Sequence, residues 1–167
     1  MTRTRLILVL LLVLVTVGQR PAFGEESLFN MQTLKDRAVQ GDADAQFRHG
    51  LRYYAGLGMP QDYVEAMKWF LLAANQEHAD AMFHLGEMYE NSRGISESGQ
   101  SYSERYIQAH MWYNLAAAKG TGEVQRKAEN RRVVLERLSF KISPDGIIKA
   151  QQLAREWKPT IPEKPGK

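Results

Sequence analysis

The sequence predicts an all-α fold: a stack of antiparallel helix hairpins ended by a C-terminal capping helix. Three observations carry that expectation. The stretch ADAQFRHGLRYYAGLG, from Ala43 to Gly58, returns as ADAMFHLGEMYENSRG, from Ala79 to Gly94. Ala45, Gly50, Tyr53 and Gly58 are matched 36 positions on by Ala81, Gly86, Tyr89 and Gly94. A second stretch, YVEAMKWFLLAANQ from Tyr63, returns as YIQAHMWYNLAAAK from Tyr106, with Trp69 matched 43 positions on by Trp112. A period in the mid-thirties marks helical-hairpin arrays, whose units bury their apolar faces only by stacking on one another. The chain also has no Cys, so one continuous apolar core, not disulfides, has to hold it.

Along the chain, residues 25–41 read as a leading half-repeat, one helix with Leu28, Met31, Leu34 and Ala38 at helical spacing and an ending that resembles the ends of the later second helices. Asp42 or Asp44 opens a helix over 43–55, which Gly56 stops in the left-handed conformation. Asp62, with Glu65 three residues on, predicts a capping box at the start of helix 62–75. Helix 79–91 repeats the pattern of 43–55. Residues 95–103 then hold the seven extra positions that lengthen 36 to 43; insertions in such arrays map to loops. Helix 104–119 carries Trp112, and a charged helix covers 121–138. Ser143-Pro144 opens the last helix, which runs to Trp157. The repeats thus occupy 42–120, capping helices 121–157, and a proline-containing tail 158–167. A terminal unit that breaks the pattern is what a cap requires.

At the N-terminus, Arg3 and Arg5 precede twelve uncharged residues from Leu6 to Val17. That run spans roughly 18 Å as a helix, short of the roughly 30 Å of a bilayer core. With Ala22-Phe23-Gly24 behind it, residues 1–24 read as a signal peptide cleaved after Gly24, leaving no stable membrane span; the alternative is an uncleaved anchor. The expected location is periplasmic or secreted. Residues 25–122 carry 8 basic and 13 acidic side chains, and residues 123–167 carry 11 and 6. The expected mature chain is therefore near neutral, acidic in the array and basic in the cap, which gives no argument for nucleic acid as a partner.

The repeated positions resemble the Sel-one-like repeat family, a relative of the tetratricopeptide repeats. Its pattern is met by Ala45, Gly50, Tyr53, Gly56, Gly58, Asp62, Ala66, Trp69, Ala73 and Ala74, and again by Ala81, Leu85, Gly86, Tyr89, Gly94, Ala109, Trp112, Ala116 and Ala117. The resemblance covers about residues 38–120. His49 stands where the family usually has Leu, and Ser92 replaces the first loop glycine. The resemblance implies a right-handed α/α superhelix, a solenoid with a concave groove for a protein or peptide, in members that include bacterial envelope adaptors. Physically, the small residues permit close helix crossing and the tryptophans fill the space between hairpins.

No catalytic constellation is present. There is no HExxH, no GxSxG and no Cys nucleophile. His84, Glu87 and Glu90 share a helix face, but no second histidine stands at ligand spacing, so neither a metal nor a cofactor is expected. The remaining signal is the groove. The packed seam uses positions 45, 49 and 53, which turns Phe47, Arg48 and Leu51 outward. Phe83, His84 and Glu87 match them in the second repeat, and Arg126, Lys127 and Asn130 in the third helix of that kind. Two outward aromatics beside Arg48, His84 and Lys127 would suit an extended peptide with an acidic group; alternatively, the aromatics complete the hairpin core and the charges are only solvated. The leading expectation is a non-catalytic envelope interaction module, an adaptor or regulator. The alternative is an envelope enzyme or a carbohydrate-binding component acting on peptidoglycan or exopolysaccharide, which calls for several solvent-facing aromatics in a row.

Overall fold

A computed structural model describes residues 23–95, 100–138 and 142–160, with side chains from Gln32 onward. The expected signal peptide lies outside the described residues except for Phe23 and Gly24, which are helical. Residues 96–99 of the insertion and 161–167 of the tail lie outside them as well. Seven helices and no strand occur among the described residues: α1 (Phe23–Gln40), α2 (Ala43–Ala55), α3 (Tyr63–Ala74), α4 (Ala79–Glu90), α5 (Tyr102–Lys119), α6 (Gly122–Arg137) and α7 (Pro144–Glu156). The chain divides into two compact units after Thr33. The first contains the beginning of α1; the second, from Leu34 onward, holds the end of α1 and the other six helices.

Helices α2 with α3, and α4 with α5, form two antiparallel hairpins that stack through α3 and α4. Each hairpin closes on a glycine. A Cβ on Gly50 would stand 2.8 Å from the Phe70 ring, and one on Gly86 would stand 2.5 Å from the Tyr113 ring. Real Cβ atoms do not approach so closely, so only glycine admits the buried ring of the partner helix. That requirement accounts for the repetition of glycine at these two positions.

Caps set the helix starts. Asp42 accepts a hydrogen bond from Ala45 N at 2.9 Å, and Asp62 accepts one from Glu65 N at 2.9 Å. The full capping box expected at Asp62 does not form. The Asp62 N–H donates to the Tyr53 carbonyl at 2.9 Å, and the Glu65 carboxylate instead pairs with Lys68 at 2.8 Å. A full box does form at Ser101 and Glu104. It starts α5 at Tyr102, so the last two residues assigned to the insertion are the first turn of a helix. At the ends of α2 and α4 the backbone turns left-handed at matched positions, with φ of 69° at Gly56 and 57° at Ser92. Ser92 therefore reproduces the turn despite carrying a Cβ. Two residues on, Gly94 allows no such exchange, since a Cβ there would lie 2.5 Å from the Tyr63 carbonyl oxygen.

One core runs through the stack, from Ala66, Phe70, Ala73 and Ala74 through Met82, Leu85 and Met88 to Trp112, Leu115 and Ala150. The two tryptophans occupy matched places, each 5% exposed. Trp69 packs with Ala45 and with Ala38 of α1. Trp112 meets Trp157 edge-on at 6.0 Å between ring centroids. The cap thus covers the second tryptophan much as α1 covers the first. No described helix is long and apolar enough to cross a membrane.

Candidate functional site: a cleft between the first helices of successive hairpins

Helices α4 and α6, the first helices of the second hairpin and of the terminal helix pair, flank a cleft of about 540 Å³. Asp80, Phe83, His84 and Glu87 line it from α4; Val124, Lys127, Asn130 and Arg131 line it from α6. Five of the nine residues singled out from the sequence meet here: Phe83, His84, Glu87, Lys127 and Asn130. Phe47, Arg48, Leu51 and Arg126 are not among the lining residues.

The aromatics face inward more than the sequence pattern suggests. Phe47 and Phe83 are only partly exposed and pack against the core. The Phe47 ring stacks on His78 at 4.7 Å and lies 5.8 Å from Phe70, while Phe83 lies 5.6 Å from Tyr113. The cause is the next hairpin, whose rings cover an α2 face that would otherwise be open. Leu51 is likewise partly buried against the core, and Arg48 and Arg126 are exposed. His84 is the hub of the arrangement, stacked on Phe70 at 5.4 Å and within 6 Å of Phe47, Tyr54 and Phe83. Its Nδ1 comes within 3.1 Å of Glu87 Oε2, but without hydrogen-bond alignment, since that nitrogen has no hydrogen-bond partner.

The charges in the cleft are mixed. Asp80 and Glu87 stand on one wall, Lys127 and Arg131 on the other. Lys127 is 54% exposed and pairs along its own helix with Glu123 at 2.7 Å. Arg131 reaches deeper, donating to Glu90 Oε2 at 2.7 Å, and the Tyr113 hydroxyl donates to the same oxygen at 2.9 Å. Burial, followed by the Glu90 charge, pushes the Tyr113 hydroxyl well above the usual tyrosine range, so it stays a neutral donor. Three helices are tied at this one carboxylate. Asp80, Val124 and Arg131 were missed in the sequence, although the signal was there. Asp80 lies one turn before His84, and Arg131 one turn after Lys127, so each shares a helix face with a residue already chosen.

A buried polar chain runs behind the cleft. His110 is fully buried. Asn114 Nδ2 donates to its Nδ1 at 2.9 Å, and its Nε2 donates to Glu136 Oε1 at 2.9 Å. Burial holds the imidazole pKa below the usual histidine value, with Glu136 acting in opposition. No group of three or more His, Cys, Asp or Glu side chains able to hold a metal ion occurs among the described residues.

The Sel1 repeat model matches residues 43–78 and 79–121. Protein sel-1 homolog 2 of Mus musculus is 39% identical over 77 residues, 44% of this chain and 11% of the mouse protein. The ERAD-associated E3 ubiquitin-protein ligase component HRD3A of Arabidopsis thaliana is 38% identical over 76 residues, 45% of this chain and 11% of that protein. The chain thus spans about a tenth of the length of these curated relatives. Among solved structures, a Sel1 repeat protein from Oxalobacter formigenes matches with a TM-score of 0.55 and 29% identity, over 75% of this chain and 48% of that one. A protective antigen of uropathogenic Escherichia coli displaying an SLR fold matches with a TM-score of 0.62 and 24% identity, over 74% of this chain and 24% of that one. The architecture is the α/α superhelix expected from the repeats.

Proposed function

The chain is a Sel1-repeat protein, and we propose from that premise that it is a non-catalytic interaction module holding a protein or peptide segment in the cleft between α4 and α6. Sel1 repeats generally serve as protein-interaction scaffolds; one relative here is named as a ligase component. The observation that carries the reading is the cleft itself, in which an aromatic edge, an imidazole and four charges of both signs converge in about 540 Å³. Such a site suits a segment with an apolar residue against Phe83, a basic group toward Asp80 and Glu87, and an acidic group toward Lys127. Opposed charges fix register and orientation more than they add affinity. The mixed charge adds a basic group to the acidic one expected of the ligand from the sequence. Phe47 and Phe83 turn toward Phe70 and Tyr113, so these two rings do not support a sugar-stacking platform.

The proposed setting is the cell envelope, on the strength of the basic and apolar N-terminal pattern. Mass analysis of the exported form should find Glu25 first; recovery of Met1 or Thr2 from membranes would mean an anchor. The cleft is tested with a photo-crosslinking amino acid at Asn130 in intact cells, followed by Lys127→Glu in the same background. A discrete crosslinked species that Lys127→Glu suppresses, and that fades with salt as screening shortens to about 3 Å at 1 M, supports the reading. Crosslinking from Arg105, beside the inserted turn, with none from Asn130 would move recognition to the loop.

A further inference from the structure

The terminal helix pair is built differently from the two hairpins before it. Helices α6 and α7 each pack on α5, but they are not packed along each other as α2 is on α3 or α4 on α5. The sequence supplies a reason. Where Gly50 and Gly86 admit a ring from the partner helix, the matched position in α6 is Glu129, which is exposed. The two helices meet near their connecting turn, where Leu135, Ile142 and Ile147 share a cluster with Tyr113. Away from that turn they leave a cavity of about 300 Å³, floored by Asn114, Leu115 and Ala118 of α5 and walled by Arg132, Gln151, Ala154 and Arg155.

The chemistry of this cavity is one-sided. Its charged lining is two guanidinium groups, and neither is firmly neutralised among the described residues. Arg132 reaches Glu136 Oε1 only at 3.5 Å, and that oxygen already accepts from His110 at 2.9 Å. Arg155 has no ion pair among the described residues. Glu156, the acid beside it, lies outside the lining and accepts from Gln152 at 2.8 Å. The Asn114 amide is oriented by its bond to the fully buried His110, which holds one polar group of the floor in place. Leu115, Ala118 and Ala154 supply a small apolar surface. Planar guanidinium groups favour carboxylates, which they can bind in two-pronged fashion.

We propose that the cavity between α5, α6 and α7 is a second binding site, separate from the α4–α6 cleft, that takes a carboxylate carried on a short apolar body. Arg132 and Arg155 hold the carboxylate from opposite arms of the pair, the side-chain amides of Gln151 and Asn114 donate beside it, and Leu115, Ala118 and Ala154 receive the apolar part. At about 300 Å³ the space is at the lower end of ligand pockets, suited to a group about the size of one amino-acid residue. Two sources share this chemistry, a free short-chain acid and the last residue of a peptide.

The test uses the full chain, labelled with nitrogen-15, titrated with N-acetylalanine, 4-methylpentanoate and N-acetylalaninamide while the side-chain amide resonances of Asn114 and Gln151 are followed. Saturable shifts with the acids and none with the amide are expected. The tighter acid identifies the source: N-acetylalanine a peptide end, 4-methylpentanoate a free acid. Arg132→Gln and Arg155→Gln should each weaken binding at least tenfold. Ala118→Leu, which fills the floor without altering charge, should abolish it, and Lys127→Gln in the other cleft should leave it unchanged. Arg155 is exposed and outside any ion pair among the described residues, so its variant keeps the test valid if Arg132→Gln does not fold. Absence of saturable shifts with both acids, equal binding of the amide, or unchanged affinity in Arg155→Gln would overturn the proposal.

Discussion

Replacing His49 with Leu should make the array less sensitive to acid. His49 is 4% exposed, and neither ring nitrogen has a hydrogen-bond partner. Its ring meets Trp69 edge-on at 4.8 Å and Tyr53 at 5.2 Å. An orphaned buried polar group costs about 1–3 kcal/mol, while two edge-on aromatic contacts return about 0.5–1.5 kcal/mol each. Leucine removes both terms, so at pH 7.5 the change should stay within about 2 kcal/mol in either direction. The distinguishing effect lies below neutrality. Burial, with Lys35 and Arg52 adding to it and Glu65 opposing, holds the folded-state pKa of His49 below its usual value. The unfolded chain therefore takes up the proton first. Stability is complete above about pH 6.5, where the unfolded imidazole titrates, and falls as pH drops toward the lower folded value. The slope is at most about 1.4 kcal/mol per pH unit, so by pH 5.0 His49→Leu should gain at most about 2 kcal/mol on the parent. His110, also depressed by burial, should leave some acid sensitivity in the variant. Urea melts at pH 7.5, 6.0 and 5.0 decide the matter. A stability difference that stays constant across that range would refute the argument that His49 is buried neutral.

Two further substitutions test the packing. Gly86→Ala should destabilise by about 1–3 kcal/mol through overpacking, because its Cβ would fall 2.5 Å from the buried Tyr113 ring. Alanine would otherwise favour a helix interior by about 1 kcal/mol, so a stabilised variant in urea melts would mean that the hairpin relaxes without strain. Trp69→Ala and Trp112→Ala should each cost about 3–5 kcal/mol, since both rings are 5% exposed; a loss under about 1 kcal/mol in the same assay would remove them from the core.

Helices α2 to α5 were legible in the sequence because the repeat states the first two again as the second two. Ala45 with Ala81, Gly50 with Gly86 and Trp69 with Trp112 recur for one physical reason each, and that reason survives the seven-residue change of spacing. What could not be read depends on a neighbour that a single helix does not display. The outward look of Phe47 ignores His78 and His84, which arrive from the next hairpin to cover it. The Asp62–Glu65 spacing meets the requirement of a capping box, yet the Tyr53 carbonyl takes the N–H that the box needs. Conversely, Ser101 and Glu104 form a real box inside a stretch whose polarity reads as loop. The cavity under the cap could not be read from the sequence, because it arises from how far two helices diverge, not from any pattern along either one.

The geometry also ranks the cations of the α4–α6 cleft. Arg131 and Lys127 both line it, but only Arg131 is committed to the interior. Its Glu90 partner is 8% exposed on the side chain and accepts from Tyr113 as well. Withdrawing one member of a buried ion pair costs about 3–5 kcal/mol because the other is left uncompensated. Arg131 is itself 39% exposed, so water recovers part of that cost. The remainder still exceeds the roughly 0.2–1 kcal/mol that an exposed ion pair supplies. A ligand acid therefore gains little by pulling Arg131 off Glu90, and it gains more from Lys127, whose ion-pair partner among the described residues is the solvated Glu123. Arg131 sets the width of the cleft by tying α6 to α4, and Lys127 is the cation left available within it.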